Sequence, residues 1–376
     1  MFSSLTNDYS SKHLLNTFMR KGILPNPDIL FVRLGKNYET YREMTNDAHL
    51  WSCIQSRKSG TLSLNYTIEP LNCNTDIVEL IKFYFNEIDL NKLQKYILDA
   101  VFYGMEIIEL DWDYINYNGI NYLLPLDFSS CKQENFVLDR DGKLLLKKKF
   151  DEYEELPKNK FLLILNEANE SNPYGDAVLK KCYWHLTFKN GVIRFWINYA
   201  EKYGSPLLLG QFQRGATEEE ARSLADALAG MSQDAVIVTP SDFKIEFAES
   251  NRSASVELFK ELIKHCNNEI SKAILSQTLT TELESGSYAA ANIHYKVRKE
   301  IIKSDCFLVQ NSINNLIRLI LKVNNLNSNA PKFKHLIDDS DNNSRLERDI
   351  KLMNNGIKFS KQYLIETYGL KENDII

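Results

Sequence analysis

The amino-acid sequence predicts an α+β protein in which a β-rich region is followed by long helices. Before residue 172, apolar residues alternate along short segments, and the pairs Asn118-Gly119 and Asp141-Gly142 separate some of them. Such pairs favour hairpins, because both central residues of a tight type I′ turn need positive φ. From Asp176 to Tyr203 the apolar residues return at helical spacing instead. A third pattern, β-α-β-β over residues 205–248, lies between this helix and a further long one.

The composition is that of a folded protein that does not grip nucleic acid tightly. The chain has 376 residues, 44% of them hydrophobic and 25% charged, which is enough for two or three substructures with cores. A formal net charge of -5 argues against extensive neutralisation of phosphates, although it allows DNA to pass without being held. The six cysteines include no C-x-x-C pair, which indicates free buried thiols in a reducing compartment. No apolar run has transmembrane length, and the first residues lack the plan of a signal peptide, so we expect a cytoplasmic origin.

The first half of the chain is predicted to be an arm followed by helices and strands. Residues 1–37 are polar and broken by Gly22, Pro25 and Pro27, which is typical of an arm whose order depends on a neighbour. The elements expected after it are a helix over 46–57 running into Gly60, a strand over 62–68, helices over 75–87 and 89–103, strands over 105–114, 136–138, 144–146 and 161–165, and hairpin turns at the two Gly-containing pairs.

The helix from Asp176 to Tyr203 organises the prediction. Asp176 is placed to cap its first turn, Gly204 favours its end, and Pro206 prevents its continuation. Gly191 interrupts the middle of the pattern. The helix carries an unusual number of aromatic residues, and those assigned to packing are Trp184, Phe195, Trp196, Tyr199 and Tyr203. We expect Trp184 and Trp196 to be buried, either in the protomer core or against a neighbouring subunit.

The second half is predicted to contain a small module between long helices. Thr217 is placed to cap the helix of the 205–248 module, which three glutamates follow. The elements expected after the module are a helix over 254–275, a polar connection over 276–287, a helix over 288–323, a loop over 324–343, and two short helices, one over 344–356 and one from Ser360 to Gly369.

The motifs of common enzyme classes are absent from the sequence. There is no Walker phosphate loop, no H-E-x-x-H, no G-x-S-x-G and no G-x-G-x-x-G. The six histidines are isolated, and Asp339–Asn343 resembles the start of a calcium loop but lacks its later Gly and Glu. We therefore predict no catalytic residues, no metal site and no cofactor.

Three stretches resemble the Mu-like family of bacteriophage portal proteins. They are Asp47-Ala48-His49-Leu50 with Arg57; Asn172-Pro173-Tyr174-Gly175 through Trp184, Lys189 and Trp196 to Glu201-Lys202-Tyr203-Gly204-Ser205-Pro206; and Gly356 through Ser360 to Tyr368-Gly369-Leu370. The resemblance covers roughly residues 41–370, and its motifs are architectural rather than catalytic.

The resemblance implies the phage portal fold, with a β-rich wing, long stem helices, a small α/β clip and a helical crown. The implied regions are an N-terminal arm (1–40), the wing (41–172), a stem helix (173–204), the clip (205–250), a second stem helix (251–275), a tunnel loop (276–288), a long wing or crown helix (289–323) and a C-terminal crown region (324–376).

The resemblance also implies a function without catalysis. Portal proteins form rings, usually of twelve copies, at one capsid vertex, through which DNA is packaged and ejected. The implied partners are other copies of the chain, the large terminase subunit, a head–tail adaptor, capsid and scaffold proteins, and double-stranded DNA passing non-specifically, with no membrane. The implied location is the virion, after assembly in the cytoplasm of a bacterial host. Candidates for contact with passing DNA are the polar residues of the tunnel loop: Gln277, Thr278, Thr280, Thr281, Glu282, Ser285 and Ser287.

Two alternatives remain open from the sequence. One is another ring-forming head–tail adaptor, although adaptors are usually smaller and have fewer long helices. The other is a nucleic-acid enzyme whose active site forms only by proximity in the folded chain.

Overall fold

A computed structural model describes residues 23–149, 152–204, 208–212, 215–229, 236–241, 252–278, 288–337, 342–361 and 363. The helices are α1 (Ile29–Leu34), α2 (Tyr38–Met44), α3 (Ala48–Leu62), α4 (Thr75–Glu87), α5 (Leu90–Tyr103), α6 (Val178–Gly204), α7 (Glu218–Ala229), α8 (Arg252–Leu275), α9 (Tyr288–Val323) and α10 (Asn342–Asn354). The strands are β1 (Tyr66–Glu69), β2 (Met105–Tyr117), β3 (Ile120–Ser130), β4 (Phe136–Leu138), β5 (Leu144–Lys147), β6 (Tyr153–Glu155), β7 (Phe161–Leu165), β8 (Leu208–Phe212), β9 (Val236–Pro240) and β10 (Lys332–His335). This mixture confirms the predicted α+β class.

The β-rich region is built on two antiparallel three-stranded sheets, β3-β2-β7 and β4-β5-β6. Hairpins form at both predicted places. Asn118 and Gly119 have φ of 52° and 80°, as a type I′ turn requires, whereas at the second pair only Gly142 has positive φ, at 75°. The strands on either side pair as their alternation predicts. These hairpins follow from local sequence because the turn residues supply the positive φ that their geometry needs.

Helix α3 continues past the predicted stop at Gly60 and ends at Leu62. The predicted strand over 62–68 is correspondingly shorter and begins at Tyr66. A Cβ atom at position 60 would lie 2.6 Å from Cδ1 of Ile302 on α9. Gly60 therefore serves the close approach of two helices rather than a helix end.

The N-terminal helices begin at side-chain caps. Asp28, Asn37 and Asp47 each accept a hydrogen bond from a backbone N–H in the first turn of α1, α2 and α3. Leu30 is buried and the Tyr41 hydroxyl donates to Asp28. Residues 23–40, which the sequence analysis assigns to the arm, thus contact the body here, whereas residues 1–22 lie outside the described part.

Strand β10 is an element that the sequence analysis treats as loop. It pairs antiparallel with β1, so that Tyr66 lies opposite His335 and Glu69 opposite Lys332. Asn314 of α9 accepts from the backbone N–H of Phe333 and donates to its carbonyl, at 2.8 and 3.1 Å. The strand forms because a distant segment and a buried amide satisfy its backbone, which a local pattern cannot reveal.

Two hydrophobic cores result. The first packs α4, α5 and the β3-β2-β7 sheet around the C-terminal half of α9, where Val309, Ile313, Leu316 and Ile320 are buried. The second joins α1–α3 to the start of α6 and the end of α8. Helix α5 and strand β2 each contribute buried residues to both cores. The β-rich region and the long helices therefore form one packed body.

Helix α6 leaves the sheet at a tight junction. Asn166, after β7, donates from its backbone N–H to Gly104 and accepts from the N–H of Asp176, both at 2.8 Å. The carboxylate of Asp176, predicted as a cap, instead pairs with Lys180 and Lys181 at 2.6 Å. Beyond this start the helix is continuous through Gly191, which has open space around its Cα.

Gly175 is the position where a side chain would do most damage. A Cβ atom there would lie 2.2 Å from the carbonyl oxygen of Gly104, and its φ is +81°. Because the opposing atom is backbone, relief requires a shift of the sheet, so we expect Gly175→Ala to cost more than about 3 kcal/mol of unfolding free energy. Gly142→Ala is the matched control, since its φ is +75° with nothing within 4 Å, and should cost about 1 kcal/mol. Equal losses in urea titrations of the two variants would contradict the close contact.

Burial of His335 is expected to make the folded chain less stable in acid. It is buried, its Nε2–H donates to Gln94 Oε1 at 3.1 Å, and burial lowers its pKa to about 4. In the unfolded chain the imidazole titrates near 6.5. The stability that the neutral ring supports is therefore present above pH 6.5 and is lost as pH falls towards 4, by on the order of 2 kcal/mol.

Urea unfolding at pH 7 and pH 4.5 measures this loss. We expect His335→Gln to lose less stability than the unmodified chain between the two pH values, whereas a His265→Gln control, changed at an exposed histidine, should behave like the unmodified chain. An unchanged pH dependence in His335→Gln would show that the acid sensitivity arises elsewhere.

Candidate functional site

The two long helices on either side of the 205–250 segment form an antiparallel hairpin. Trp196, near the end of α6, stacks on Phe259, near the start of α8, with ring centroids 6.4 Å apart. Tyr199 meets the same ring edge-on at 5.8 Å. These two of the five predicted packing residues therefore hold α6 against α8 within one chain.

Two others of that set lie on the surface of the single chain. Trp184 is 49% exposed and Phe195 is 68% exposed, and Phe188, 54% exposed, stacks on Trp184 at 5.9 Å. Their spacing of four and seven residues places them on one face of α6. Exposed rings this large on one helix face are unusual for a protein that acts as a monomer. The side chain of Tyr203 lies outside the described part.

Buried polar contacts hold the hairpin to α3. Lys189 of α6 pairs with Asp47, the cap of α3, at 2.7 Å, and both side chains are largely buried. Nε2 of His49 lies 2.9 Å from the carbonyl oxygen of Asn267 and 2.8 Å from Oγ of Ser271, both on α8. Asp47, His49 and Lys189 lie in the stretches that resemble the portal family, but only the fold shows that Asp47 contacts α6 and His49 contacts α8.

The polar connection after α8 is described only at its start. Ser276, Gln277 and Thr278 belong to the described residues, whereas Thr280, Thr281, Glu282, Ser285 and Ser287 do not. Gln277 is 3% exposed, so its side chain lies inside the protomer rather than on an open wall. Thr278 is half-buried.

The module between the hairpin helices contains two parallel strands joined by a helix. β8 and β9 pair in register from Leu208 with Val236 to Phe212 with Pro240, and α7 connects them. Thr217 and Glu220 form a reciprocal capping box at the start of α7, which confirms the predicted cap. The further strand predicted over 243–247 lies outside the described residues.

A polar cavity of about 190 Å³ opens on the β-rich region. At its floor, the carboxyl of Glu106 accepts from Ser130 Oγ and, at 2.7 Å, from Gln133 Nε2. Burial raises the pKa of Glu106 to about 8. Two ion pairs lie beside it, Arg42 with Glu134 and Lys58 with Asp99, and Lys132 also lines the cavity. These contacts form a network of hydrogen bonds and ion pairs beside the cavity.

Metal-binding groups, membrane-spanning helices and disulfides can be assessed in the part of the chain that the structure describes. They contain no group of three or more His, Cys, Asp or Glu side chains arranged to hold a metal ion. No helix within the described ranges combines the length and apolar character needed to span a membrane. All six cysteines are free, and four of them are buried.

Comparison with known proteins identifies the architecture. The family model described as the portal protein of Mu bacteriophage matches residues 38–370. The portal protein of Escherichia phage Mu is 24% identical over 295 residues, which are 74% of this chain and 55% of that protein. The Mu-like prophage FluMu protein gp29 of Haemophilus influenzae (strain Rd) is 24% identical over 339 residues, 84% of this chain and 63% of that protein. The chain thus spans less than two thirds of the length of these curated relatives.

A solved structure shows the same fold at lower identity. It is titled as the neck of a native gene transfer agent particle computed with C12 symmetry, and the two chains superpose with a TM-score of 0.53 at 10% identity, over 93% of this chain and 95% of that one. A family match over residues 38–370 covers nearly the whole chain. The chain belongs to the family of Mu bacteriophage portal proteins.

Proposed function

We propose that this chain is a portal subunit that assembles into a closed ring and lets double-stranded DNA pass through the centre. The observation that carries the proposal is the family match over residues 38–370, which spans the long helical hairpin and the module at its tip. We propose a structural role for it, because the family to which the chain belongs consists of portal proteins.

The exposed rings of α6 support assembly into a ring. Trp184, Phe188 and Phe195 cover one helix face that the chain itself leaves open. A neighbouring copy is the occupant that we propose, because this chain shares its fold with a chain from a neck structure computed with C12 symmetry. Repeated contacts between unlike faces of identical subunits close into a ring when the rotation from one subunit to the next divides a full turn without a shift along the axis. We propose twelve copies on the same basis.

Passage of DNA requires a channel wall that does not bind the DNA phosphates tightly. The net charge of -5 is suited to such a wall, because each cation bound to phosphate would have to be released at every step of movement. We assign the channel lining to the connection between α8 and α9, at Thr280, Thr281, Glu282, Ser285 and Ser287. Hydroxyl groups make exchangeable contacts with phosphate oxygens, and the carboxylate opposes lasting adhesion.

The module between α6 and α8 is the clip in this proposal. Its place at the far end of the hairpin suits contact with the large terminase during packaging and with a head–tail adaptor afterwards, while the wing and crown face capsid and scaffold proteins. The subunit would assemble in the cytoplasm of the bacterial host and remain in the virion. Binding of purified large terminase to rings with and without residues 206–247 tests the clip assignment.

Alanine substitutions at two tryptophans test the ring. Trp184→Ala should leave the unfolding free energy of the chain nearly unchanged, because its ring is half exposed, but should lower the yield of rings in negative-stain microscopy several-fold. Trp196→Ala should instead lower the unfolding free energy by about 2 kcal/mol, because it removes the contact with Phe259. If the unmodified protein shows no ring with a central hole, the proposed function is wrong. If Trp184→Ala forms rings normally, the interface lies on another face.

Lysine substitutions test the channel lining. Thr280→Lys, Thr281→Lys and Glu282→Lys together would give each ring a belt of cations that bind phosphate. We expect rings to assemble normally but to package or eject DNA several-fold more slowly, with the defect relieved by added salt. The matching Ser, Ser and Gln substitutions serve as the control. Normal rates for the lysine rings would remove this connection from the channel.

A further inference from the structure

One guanidinium group joins three helices at the end of α8. Nε and Nη2 of Arg57, on α3, donate to the two carboxylate oxygens of Asp305, on α9, both at 2.8 Å. Nη1 donates to the carbonyl oxygen of Ile274, in the last turn of α8, at 2.9 Å. The pair is well shielded, since the side chains of Arg57 and Asp305 are 14% and 4% exposed. Such a two-point, planar contact fixes direction as well as distance.

The contact with Ile274 satisfies a group that the helix itself leaves open. The last carbonyl groups of an α-helix have no partner within it, and they carry the negative end of the helix dipole. Arg57 supplies both a donor and a positive charge at this place. The end of α8 is therefore held from outside, by a residue far away in the chain.

The residues that follow are in an unfavourable state. Ser276 has φ of 52°, in the left-handed region that non-glycine residues seldom occupy. Gln277 is buried, and neither Oε1 nor Nε2 of its amide has a hydrogen-bond partner among the residues that the structure describes. Burying an amide without a partner is costly, because the group gives up its hydrogen bonds to water. Strain of this kind persists only where surrounding contacts impose it.

We propose that Arg57 is a conformational lock. Its bond to Ile274 and its pair with Asp305 hold the end of α8 against α9 and force Ser276 and Gln277 into the observed conformation. When the pair is broken, the last turn of α8 opens and the Gln277 amide reaches water. A displacement of α3 relative to α9 is thereby transmitted to the end of α8.

The lock is independent of the proposed function, because it concerns contacts within one chain. Hydrogen exchange measured by mass spectrometry on the purified protein tests it. Asp305→Asn keeps the shape of the side chain and removes its charge, and Arg57→Gln removes the guanidinium. We expect both variants to raise the exchange rate of the segment 270–278 at least tenfold, while the segment 312–320 in the buried half of α9 exchanges as before.

A neighbouring ion pair provides the matched control. Lys58, the next residue on α3, pairs with Asp99 of α5 at 2.5 Å. Lys58→Gln breaks a comparably shielded ion pair that links α3 to α5 instead of α8. It should therefore leave the exchange rate of segment 270–278 unchanged. Equal acceleration by Lys58→Gln, no acceleration by the Arg57 and Asp305 variants, or global unfolding of both of those variants would each overturn the lock.

A substitution at Gln277 tests whether the lock holds this residue in an unfavourable conformation. Gln277→Leu removes the unpartnered amide at nearly constant volume, so it should raise the thermal unfolding midpoint and slow exchange at 270–278. A lower midpoint would show that the amide is satisfied where it lies, and the proposal would then be wrong.

Discussion

The architecture depends on a close contact between two backbone segments at Gly104 and Gly175. Each glycine has positive φ, and a side chain on either would meet the other's carbonyl oxygen at 2.8 Å or less. Asn166 stitches the two segments together: its N–H donates to Gly104, and its side-chain amide donates to the carbonyl of Asp176, each at 2.8 Å. The junction thus sets the direction in which α6 leaves the sheet, and with it the placement of the hairpin and the module at its tip.

Tyr174 extends this junction to the N-terminal segment. Its buried hydroxyl donates to the carbonyl of Leu24 at 2.8 Å and accepts from the N–H of Leu138 at 3.0 Å. A buried hydroxyl must find such partners, so the phenol fixes how residue 24 and β4 lie against α6. Within the Asn-Pro-Tyr-Gly motif, Tyr174 and Gly175 therefore set the direction of the chain.

Helix α3 is the electrostatic centre of the body. Three residues of α3 and its cap form ion pairs with three other helices. Asp47, the cap, pairs with Lys189 on α6, Arg57 with Asp305 on α9, and Lys58 with Asp99 on α5. Shielded pairs add little net stability relative to apolar contacts, because desolvation offsets their attraction. They do penalise every arrangement in which a charge is left alone. Three such pairs on one helix therefore specify how α5, α6 and α9 are aligned with α3.

Residues with local conformational preferences were predictable from sequence. The hairpins at Asn118-Gly119 and Asp141-Gly142, the capping box at Thr217 and the lengths of α4, α5, α8 and α9 follow from turn chemistry and helical spacing, both of which act over a few residues. The family also was predictable, since its motif surrounds the start of the longest aromatic-rich helix.

The features that sequence reasoning missed are contacts between distant segments. β10 is a strand because β1 lies beside it. Gly60 lies within a helix, and its lack of a side chain lets Ile302 approach closely. Likewise, Trp184 and Trp196 both lie on α6 and look alike in the sequence. Only the packed structure decides that Trp196 contacts Phe259 while Trp184 remains exposed. The amino-acid sequence by itself determined the elements, their order and the family. Tertiary structure alone decided the face of each helix that is covered and the partner of each buried charge, because burial and ion pairing depend on atoms brought together from positions far apart in the chain.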